Sequence, residues 1–478
     1  METIYIAINN SKLEYDVHAL VRSFFPEYEV SFKEEGEIAL RMEIHVGDTQ
    51  ADFIFGAQSY TLEGGDFDKN AFKLSFYRAL CDVTGKTLPW GNLTGIRPTK
   101  IAMEGITKGR TDEEIKAFLE GEHDVSKEKQ ELCLQIAHRE KAILDSFDYE
   151  KGYSLYIGIP FCPTTCLYCS FTSFPIAAYR KKVPAYIAAL KKELIETAAL
   201  MKGRHLETVY MGGGTPTSLN AEELSEILTC LSEHFDLKGV REFTVEAGRP
   251  DSITRDKLET LYRGGVNRIS VNPQTMNDET LRLIGRNHTV EMLKDSFSLA
   301  REIGFDNINM DIILGLPGET KEMVQHTLTE IVKMHPDSLT VHSLAIKRAS
   351  RLNQMMKQKE ISCLKNTDEL MELAMQAARS MSMSPYYLYR QKNMSGNFEN
   401  VGYAGDDKVG LYNILIMEEV QSIVACGAGT VTKRVWTLGD GGSGSVGRIE
   451  RCDDVKDVDL YIAEIDEMIE RKRKLFES

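Results

Sequence analysis

Three cysteines lie within eight residues of each other, in a loop that follows the apolar segment 153–159. Cys162, Cys166 and Cys169 give the spacing CxxxCxxC. Three thiolates on one short loop can bind three irons of a cubane cluster and leave the fourth iron open. An amino acid can chelate that open iron through its amine and carboxylate. The spacing therefore predicts an iron–sulfur site with one exchangeable position.

Zinc is the alternative metal for these thiols. Structural zinc prefers four ligands, usually from CxxC pairs, and the sequence has no second pair. A third interpretation, that the three thiols have no shared function, is also disfavoured. The loop follows the C-terminal end of a predicted strand, where barrel enzymes place their chemistry. The remaining cysteines are isolated and predicted to pack as small hydrophobic side chains: Cys81, Cys133, Cys230, Cys363, Cys426 and Cys452.

The composition is that of a large, acidic, globular protein. Of its 478 residues, 42% are hydrophobic and 27% are charged, which excludes collagen-like and wholly disordered chains. The net charge of −15 disfavours nucleic acid as a partner, because phosphate binding depends on lysine and arginine. No apolar run reaches the ~20 residues of a membrane span, and METIYIAINNSKLEYD contains no secretory signal. We therefore expect a cytoplasmic protein whose nine cysteines, an odd number, are reduced.

From Tyr153 onward, short apolar runs alternate with amphipathic helices, which is typical of βα units around a parallel sheet. The candidate strands are 153–159, 207–212, 242–247, 268–273, 307–314 and 338–343. Six units are fewer than the eight of a closed barrel, so the pattern predicts an α/β fold with a partial barrel. The segment starting at Pro184 is a predicted helix with proline in its first turn.

The flanking segments predict further domains. Strands are expected at 37–46 and 51–62, and a helix at 70–83. Thr111 is a predicted helix cap, and DLYIAEIDEMIERKRKL a C-terminal helix. The predicted domains are a β-rich N-terminal module (1–87), a connector and helical segment (88–150), a partial barrel (151–350) and a C-terminal substrate-covering domain (351–478).

The cysteine motif resembles that of radical S-adenosylmethionine (SAM) enzymes, including the aromatic residue before the last cysteine. LYIGIPFCPTTCLYCSF is similar to the oxygen-independent coproporphyrinogen III oxidase (dehydrogenase) family. LPWGNLTGIRPTK and PYYLYRQKNMSGNFENVGY resemble its HemZ-type branch. The resemblance implies a partial (β/α)6 radical SAM barrel, an N-terminal α+β module and a mostly helical C-terminal lid domain.

The resemblance also implies the site residues. Cys162, Cys166 and Cys169 would be the catalytic residues that hold a 4Fe-4S cluster. The implied SAM contacts flank the cysteines or follow successive strands: Tyr156, Tyr168, Gly213, Gly214, Thr215, Glu246, Gln274, Arg286, Asp311 and Ala345. Each polar residue alone is ordinary surface, but strand ends share one rim that a single ligand could touch.

The implied reaction begins with one electron from the reduced cluster, which cleaves SAM into methionine and a 5′-deoxyadenosyl radical. The radical takes hydrogen from a propionate β-carbon, and loss of carbon dioxide and one electron leaves a vinyl group. The implied partners are a tetrapyrrole substrate and a reduced flavodoxin- or ferredoxin-type electron donor. Substrate carboxylates call for fixed cations, for which Arg286, Arg390 and Lys392 are candidates.

Two departures from the family pattern stand close to the cluster motif. Ser170 and Phe171 occupy positions where the family often has a fourth cysteine, which three-point ligation does not need. Gly158 replaces a common histidine and so removes a polar group near the cluster. The segment 427–433, together with YYLYRQKN, is predicted to fold over the barrel mouth.

Two alternative functions remain open at this point. One is a haem-binding carrier on the same scaffold, as in the HemW-type proteins that this chain resembles. Those proteins carry the motif HNxxYW, whereas the matching segment 399–404 is ENVGYA and lacks both the histidine and the tryptophan. Another radical SAM enzyme acting on a tetrapyrrole would begin with the same cofactors. His288, His335 and His342 are candidate ligands or bases, with a structural role favoured for the last two.

Overall fold

The computed structural model describes most of the chain. The described residues are 2–63, 68–95, 97–169, 171–346, 350–358, 361, 363, 365–391, 395–437 and 446–477. Two compact units alternate along the sequence. The first comprises Met1–Arg139, Ser343–Met371 and Leu388–Asn400, and the second comprises Glu140–His342, Glu372–Tyr387 and Val401–Ser478. Within the described ranges, no helix is both long and apolar enough to cross a membrane.

The first unit contains a five-stranded sheet and its helices. Its elements up to residue 144 are β1 (Thr3–Ile8), α1 (Glu14–Phe24), β2 (Glu29–Ser31), β3 (Ile38–Val46), β4 (Gln50–Phe55), β5 (Gln58–Glu63), α2 (Lys69–Thr84), α3 (Pro98–Thr107), α4 (Asp112–His123) and the start of α5 (Lys127–Leu144). The strand order is β2-β1-β3-β4-β5. Phe53 of β4 packs on Phe72 and Phe76 of α2, with ring centroids 5.4 and 5.3 Å apart, inside the apolar core. The predicted helix at 70–83 is confirmed as α2.

The predicted strand 51–62 is wrong, because this segment forms two strands. β4 and β5 are antiparallel, with Phe55 opposite Gln58, so Gly56 and Ala57 make a two-residue hairpin turn. Gly56 has a φ of +63°, which suits such a turn. The sequence stays rich in strand-forming residues on both sides of the turn, and this concealed the reversal.

The second unit contains the predicted βα units. Up to residue 343 its elements are β6 (Gly152–Ile159), β7 (Phe161–Cys162), β8 (Phe174–Pro175), α6 (Ile176–Tyr179), α7 (Val183–Leu200), β9 (His205–Gly213), α8 (Ala221–His234), β10 (Glu242–Glu246), α9 (Arg255–Arg263), β11 (Arg268–Ser270), α10 (Asp278–Leu283), α11 (Val290–Ile303), β12 (Ile308–Leu314), α12 (Lys321–Met334) and β13 (Ser338–Ser343). All six predicted strands are confirmed, as β6 and β9–β13. β11 is shorter than predicted and ends before Pro273, which has no N–H to donate to a neighbouring strand.

The stretch after residue 350 adds both helices and strands. Its elements are α13 (Arg351–Lys357), α14 (Asp368–Ser380), β14 (Ser384–Tyr389), β15 (Asn400–Ala404), α15 (Leu411–Glu418), β16 (Ser422–Cys426), β17 (Val431–Thr437), β18 (Val446–Asp453), α16 (Val458–Ala463) and α17 (Ile465–Glu477). The main sheet has the order β14-β15-β13-β12-β11-β10-β9-β6-β16-β17-β18. Strands β16, β6, β9, β10, β11 and β12 are successively parallel, which gives the expected partial barrel.

The predicted C-terminal helix is divided at Glu464 into α16 and α17. A buried carboxylate joins the two helices, because both Tyr461 of α16 and Lys472 of α17 donate to Glu193 of α7. Lys472 also contacts Asp454 at 2.7 Å. Burial and the nearby Glu193 charge raise the pKa of Asp454.

We predict that Lys472→Met lowers the free energy of unfolding by about 3–5 kcal/mol, because it leaves two buried carboxylates without a counter-charge. Urea denaturation of the full chain measures this change. Lys474→Met is the matched control, since Lys474 lies on the same helix with its side chain 73% exposed. Equal stability of the two variants would contradict the assigned role of the buried lysine.

Candidate functional site

The loop with the three cysteines follows β6 and is fixed on two sides. β7 and β8 pair in parallel and close the base of the loop. Its middle is tied to the turn after α10, where the Leu167 N–H donates to Ile284 O at 2.9 Å. The Thr164 hydroxyl donates to Gly285 O in the same turn, also at 2.9 Å. These bonds hold the cysteine loop against the barrel rim.

The three cysteines are free thiols, each half-buried in this loop. Cys162 Sγ lies 3.5 Å from the Thr215 hydroxyl, and Cys169 Sγ lies 3.9 Å from the Ser173 hydroxyl. Burial raises the pKa of Cys162 to about 11, so the metal-free thiol is protonated at neutral pH. Binding of a metal at Cys162 would therefore release a proton.

The donor set fits a multi-iron cluster. A four-iron cluster binds each thiolate to a separate iron, so the sulfurs need not converge on one point. In the described part of the chain, no group of three or more His, Cys, Asp or Glu side chains is placed to hold a metal ion. Cys162, Cys166 and Cys169 would hold three irons of a cluster, as the spacing predicts.

Arg249, which sequence analysis missed, ties the cysteine loop to the segment after β10. Its Nη1 lies 3.5 Å from Cys166 Sγ and 3.1 Å from Thr164 O, and its Nη2 donates to the Thr164 hydroxyl at 2.9 Å. Asp251 accepts from Nε and Nη2 at 2.9 and 2.8 Å. A guanidinium beside the thiols favours their ionised form. An arginine in EAGRP carries no distinctive sequence signal, so only the fold reveals this contact.

A glycine turn, residues 211–215, contains the predicted SAM contacts Gly213, Gly214 and Thr215 and meets the cysteine loop. β6 and β9 pair with Ile159 opposite Gly213. Beyond the strands, the Gly214 N–H donates to Ile159 O at 2.8 Å and the Thr215 N–H donates to Phe161 O at 2.7 Å. Gly213 has a φ of +105°, which only glycine adopts without strain. Three predicted SAM contacts therefore lie beside Cys162.

Two predicted carboxylates, Glu246 at the end of β10 and Asp311 in the middle of β12, differ in acidity. Desolvation raises the pKa of Glu246 to about 7, although the carboxylate accepts a hydrogen bond from the Tyr210 hydroxyl at 2.7 Å. Desolvation also acts on Asp311, but interactions with His342 and Asn309 outweigh it and lower the pKa of Asp311. Asp311 is thus ionised at neutral pH, whereas Glu246 is near its midpoint.

The other predicted polar contacts pair with one another. Arg286 donates to Gly248 O, and its Nη1 lies 3.5 Å from the Tyr168 hydroxyl in the cysteine motif. The Gln274 N–H donates to Asp311 O at 2.9 Å. Gln274 has a φ of +63°, a conformation that costs a non-glycine residue free energy and that the surrounding structure must hold in place.

Three tyrosine rings stack beside Glu246. Tyr156 of β6 and Tyr210 of β9 have ring centroids 6.0 Å apart at an interplanar angle of 12°. Tyr412 of α15 lies 4.5 Å from the Tyr210 ring and 6.0 Å from the Tyr156 ring. Sequence analysis predicted Tyr156 alone, because aromatic residues at 210 and 412 are indistinguishable from core residues.

The remaining candidates lie in different surroundings. Ala345 follows β13 by two residues, in a segment of the first unit. His288 is buried, and burial with nearby arginines lowers its pKa to about 3, so its ring is neutral at pH 7. His335 is the C-cap of α12, with a φ of +51°. His342 Nε2 lies 3.8 Å from Asp311 Oδ2.

Thr430 explains the glycine that replaces the family's histidine. A Cβ at Gly158 would lie 2.4 Å from Thr430 Cγ2, so the C-terminal part of the chain fills this space. Gly158 is the second-last residue of β6, so this approach places part of 427–433 at the end of that strand. The Thr430 hydroxyl donates to Asp454 at 2.9 Å. Phe171 is 75% exposed beside the cysteine motif, and Ser170 lies outside the described residues.

The prediction that Arg390 binds a substrate carboxylate is wrong. Its side chain is buried, and Nη1 donates to Leu93 O at 2.8 Å. Nη2 donates to Asn397 O and Oδ1 at 2.9 and 2.6 Å. The guanidinium is therefore used to join two segments of the first unit. Lys392 lies outside the described residues.

We expect Arg249→Lys to accelerate removal of iron from the reconstituted protein by a chelator about tenfold, since one ammonium cannot replace the bonds to both Thr164 and Asp251. Loss of the iron–sulfur absorbance with time measures the rate. Arg255→Lys is the control, because Arg255 is 52% exposed and pairs with Glu302 on the surface. Equal rates in the two variants would contradict the role assigned to Arg249.

Comparison with known proteins supports the predicted fold and cofactors. Residues 156–331 match the radical SAM superfamily, whose members use a 4Fe-4S cluster and SAM. The solved structure of coproporphyrinogen III oxidase (HemN) from Escherichia coli, a radical SAM enzyme, has a similar fold, with a TM-score of 0.52 and 23% identity. That match covers 70% of this chain and 73% of the other chain.

Similar proteins of assigned name show to which family of the superfamily the chain belongs. Heme chaperone HemW from Bacillus subtilis is 39% identical over 40% of this chain and 50% of its own length. The oxygen-independent coproporphyrinogen-III oxidase-like protein HemZ from Bacillus subtilis is 42% identical over 369 residues, which cover 76% of this chain and 74% of that protein. The chain therefore belongs to the radical SAM superfamily and, within it, to the family of HemZ coproporphyrinogen oxidase-like proteins.

Proposed function

We propose that this protein is an oxygen-independent coproporphyrinogen III dehydrogenase of haem biosynthesis. It converts two propionate side chains of its substrate to vinyl groups and yields protoporphyrinogen IX. Each conversion removes one hydrogen atom, one electron and one molecule of carbon dioxide. The observation that carries this proposal is the common rim on which the cysteine loop, the glycine turn and the segment after β10 meet.

The residues on this rim have different proposed roles. Cys162, Cys166 and Cys169 would hold the cluster, with Arg249 fixing Cys166. When bound, the cluster and SAM supply the 5′-deoxyadenosyl radical that takes hydrogen from the substrate. Asp311, which is ionised at neutral pH, offers a fixed hydrogen-bond acceptor to SAM. The electron donor would be a flavodoxin- or ferredoxin-type protein.

The residues at the position of the carrier motif favour an enzyme over a haem carrier. Glu399 stands where HNxxYW has histidine and is fully buried. One of its oxygens accepts from Trp90 Nε1 at 2.6 Å and the other from Lys129 Nζ at 2.6 Å. A carboxylate used in this way is not available to a haem iron, and breaking such a buried pair is costly.

The test is an anaerobic assay with reconstituted full-length protein, SAM, a reductant and coproporphyrinogen III. We expect two molecules of carbon dioxide for each protoporphyrinogen IX, with formation of 5′-deoxyadenosine. Deoxyadenosine without carbon dioxide would reject the dehydrogenase and favour another reaction on a tetrapyrrole. Haem binding without SAM cleavage would instead favour the carrier.

Cys166→Ala should abolish both the iron–sulfur absorbance and SAM cleavage, because two thiols remain where three are required. Cys81→Ala is the matched control, since Cys81 is a free, half-buried cysteine in the first unit. It should keep both properties. Cleavage of SAM by the Cys166→Ala variant would show that the cluster is bound elsewhere.

A further inference from the structure

Glu246, at the end of β10, is held by Tyr210, a residue to which the family resemblance assigns no role. The Tyr210 hydroxyl donates to Glu246 Oε1 at 2.7 Å across the β9–β10 pair. The register explains this contact, because Tyr210 lies opposite Thr244, and Glu246 is two residues further on the same face. The carboxylate thus has one oxygen engaged and its orientation set.

The Tyr210 ring is itself held by two neighbouring tyrosine rings. Tyr412 stacks on it from α15 and Tyr156 stacks on it from β6. The first turn of α15 is anchored, because the Tyr412 N–H donates to the buried Glu242 at 3.3 Å. A ring fixed in this way presents its hydroxyl in one direction.

We infer that Tyr210 is a positioning residue of the SAM site, whose hydroxyl holds the Glu246 carboxylate in the orientation that accepts hydrogen bonds from the SAM ribose. This inference rests on the proposed function only in so far as SAM is the ligand. It assigns the pocket a support that comes from β9 and, through Tyr412, from the C-terminal part of the chain.

The groups around Glu246 give the proposal a measurable signature. The Tyr210 hydroxyl and the Gly213 N–H lower the pKa of Glu246, whereas desolvation and the Asp311 carboxylate raise it. Tyr156 and Tyr412 also face the carboxylate but are uncharged at neutral pH. Hydroxyls donate more strongly to an ionised carboxylate than to a protonated one, so SAM should bind more tightly as pH rises through the pKa.

The experiment measures the dissociation constant of SAM by calorimetry between pH 5.5 and 9, on full-length protein with its cluster reconstituted and oxidised. We expect Tyr210→Phe to weaken SAM binding about tenfold at pH 7, because a hydrogen bond to a charged group is lost. The midpoint of the pH dependence should rise by about one pH unit. The phenylalanine keeps the ring stack, and iron content and circular dichroism report whether the fold is retained.

Tyr262→Phe is the matched control. It makes the same substitution on α9, where Tyr262 is 47% exposed and its ring packs on Phe305 outside the SAM site. Its SAM affinity and pH midpoint should equal those of the wild type within twofold. Coincidence of the Tyr210→Phe and wild-type curves would overturn the inference. The titration contains no tetrapyrrole, so failure of the carbon dioxide assay would reject the proposed function while leaving this result to stand.

Discussion

The register between β6 and β9 is the constraint on which the site depends. It sets Gly158 opposite Gly212 and Ile159 opposite Gly213, so the cysteine loop and the glycine turn leave the sheet at the same level. A slip of one residue would turn Tyr210 to the other face of the sheet and remove it from Glu246. Burial of Leu155 and Val209 in the core fixes this register.

The parts of this structure that could be predicted from sequence are those with local signatures. Parallel strands covered on both faces form continuous apolar runs, which is why β6 and β9–β13 could be recognised. The spacing of Cys162, Cys166 and Cys169 and the three glycines of MGGGT are also local, and both lie on the predicted rim. α5 lies within the predicted helical segment 88–150, where apolar residues recur at helical spacing.

The parts that could not be predicted depend on contacts between distant segments. Arg249 and Tyr412 are ordinary residues in sequence, and only the fold brings them to Cys166 and Tyr210. The helices on the two sides of Glu464 share a single buried carboxylate on α7, a partner that helix periodicity does not reveal. Arg390 was misassigned for the same reason, because its carbonyl partners are set by the packing of the first unit.

The contact between Gly158 and Thr430 also bears on the order of events during synthesis. More than half of the chain separates these residues, yet Thr430 forms part of the wall at the end of β6. Contacts so distant in sequence form late, after the loop-closure entropy has been overcome. A nascent chain that has emerged only as far as β13 lacks this wall. Iron loading of the cysteine loop in its final surroundings must therefore follow release of the segment around Thr430 from the ribosome.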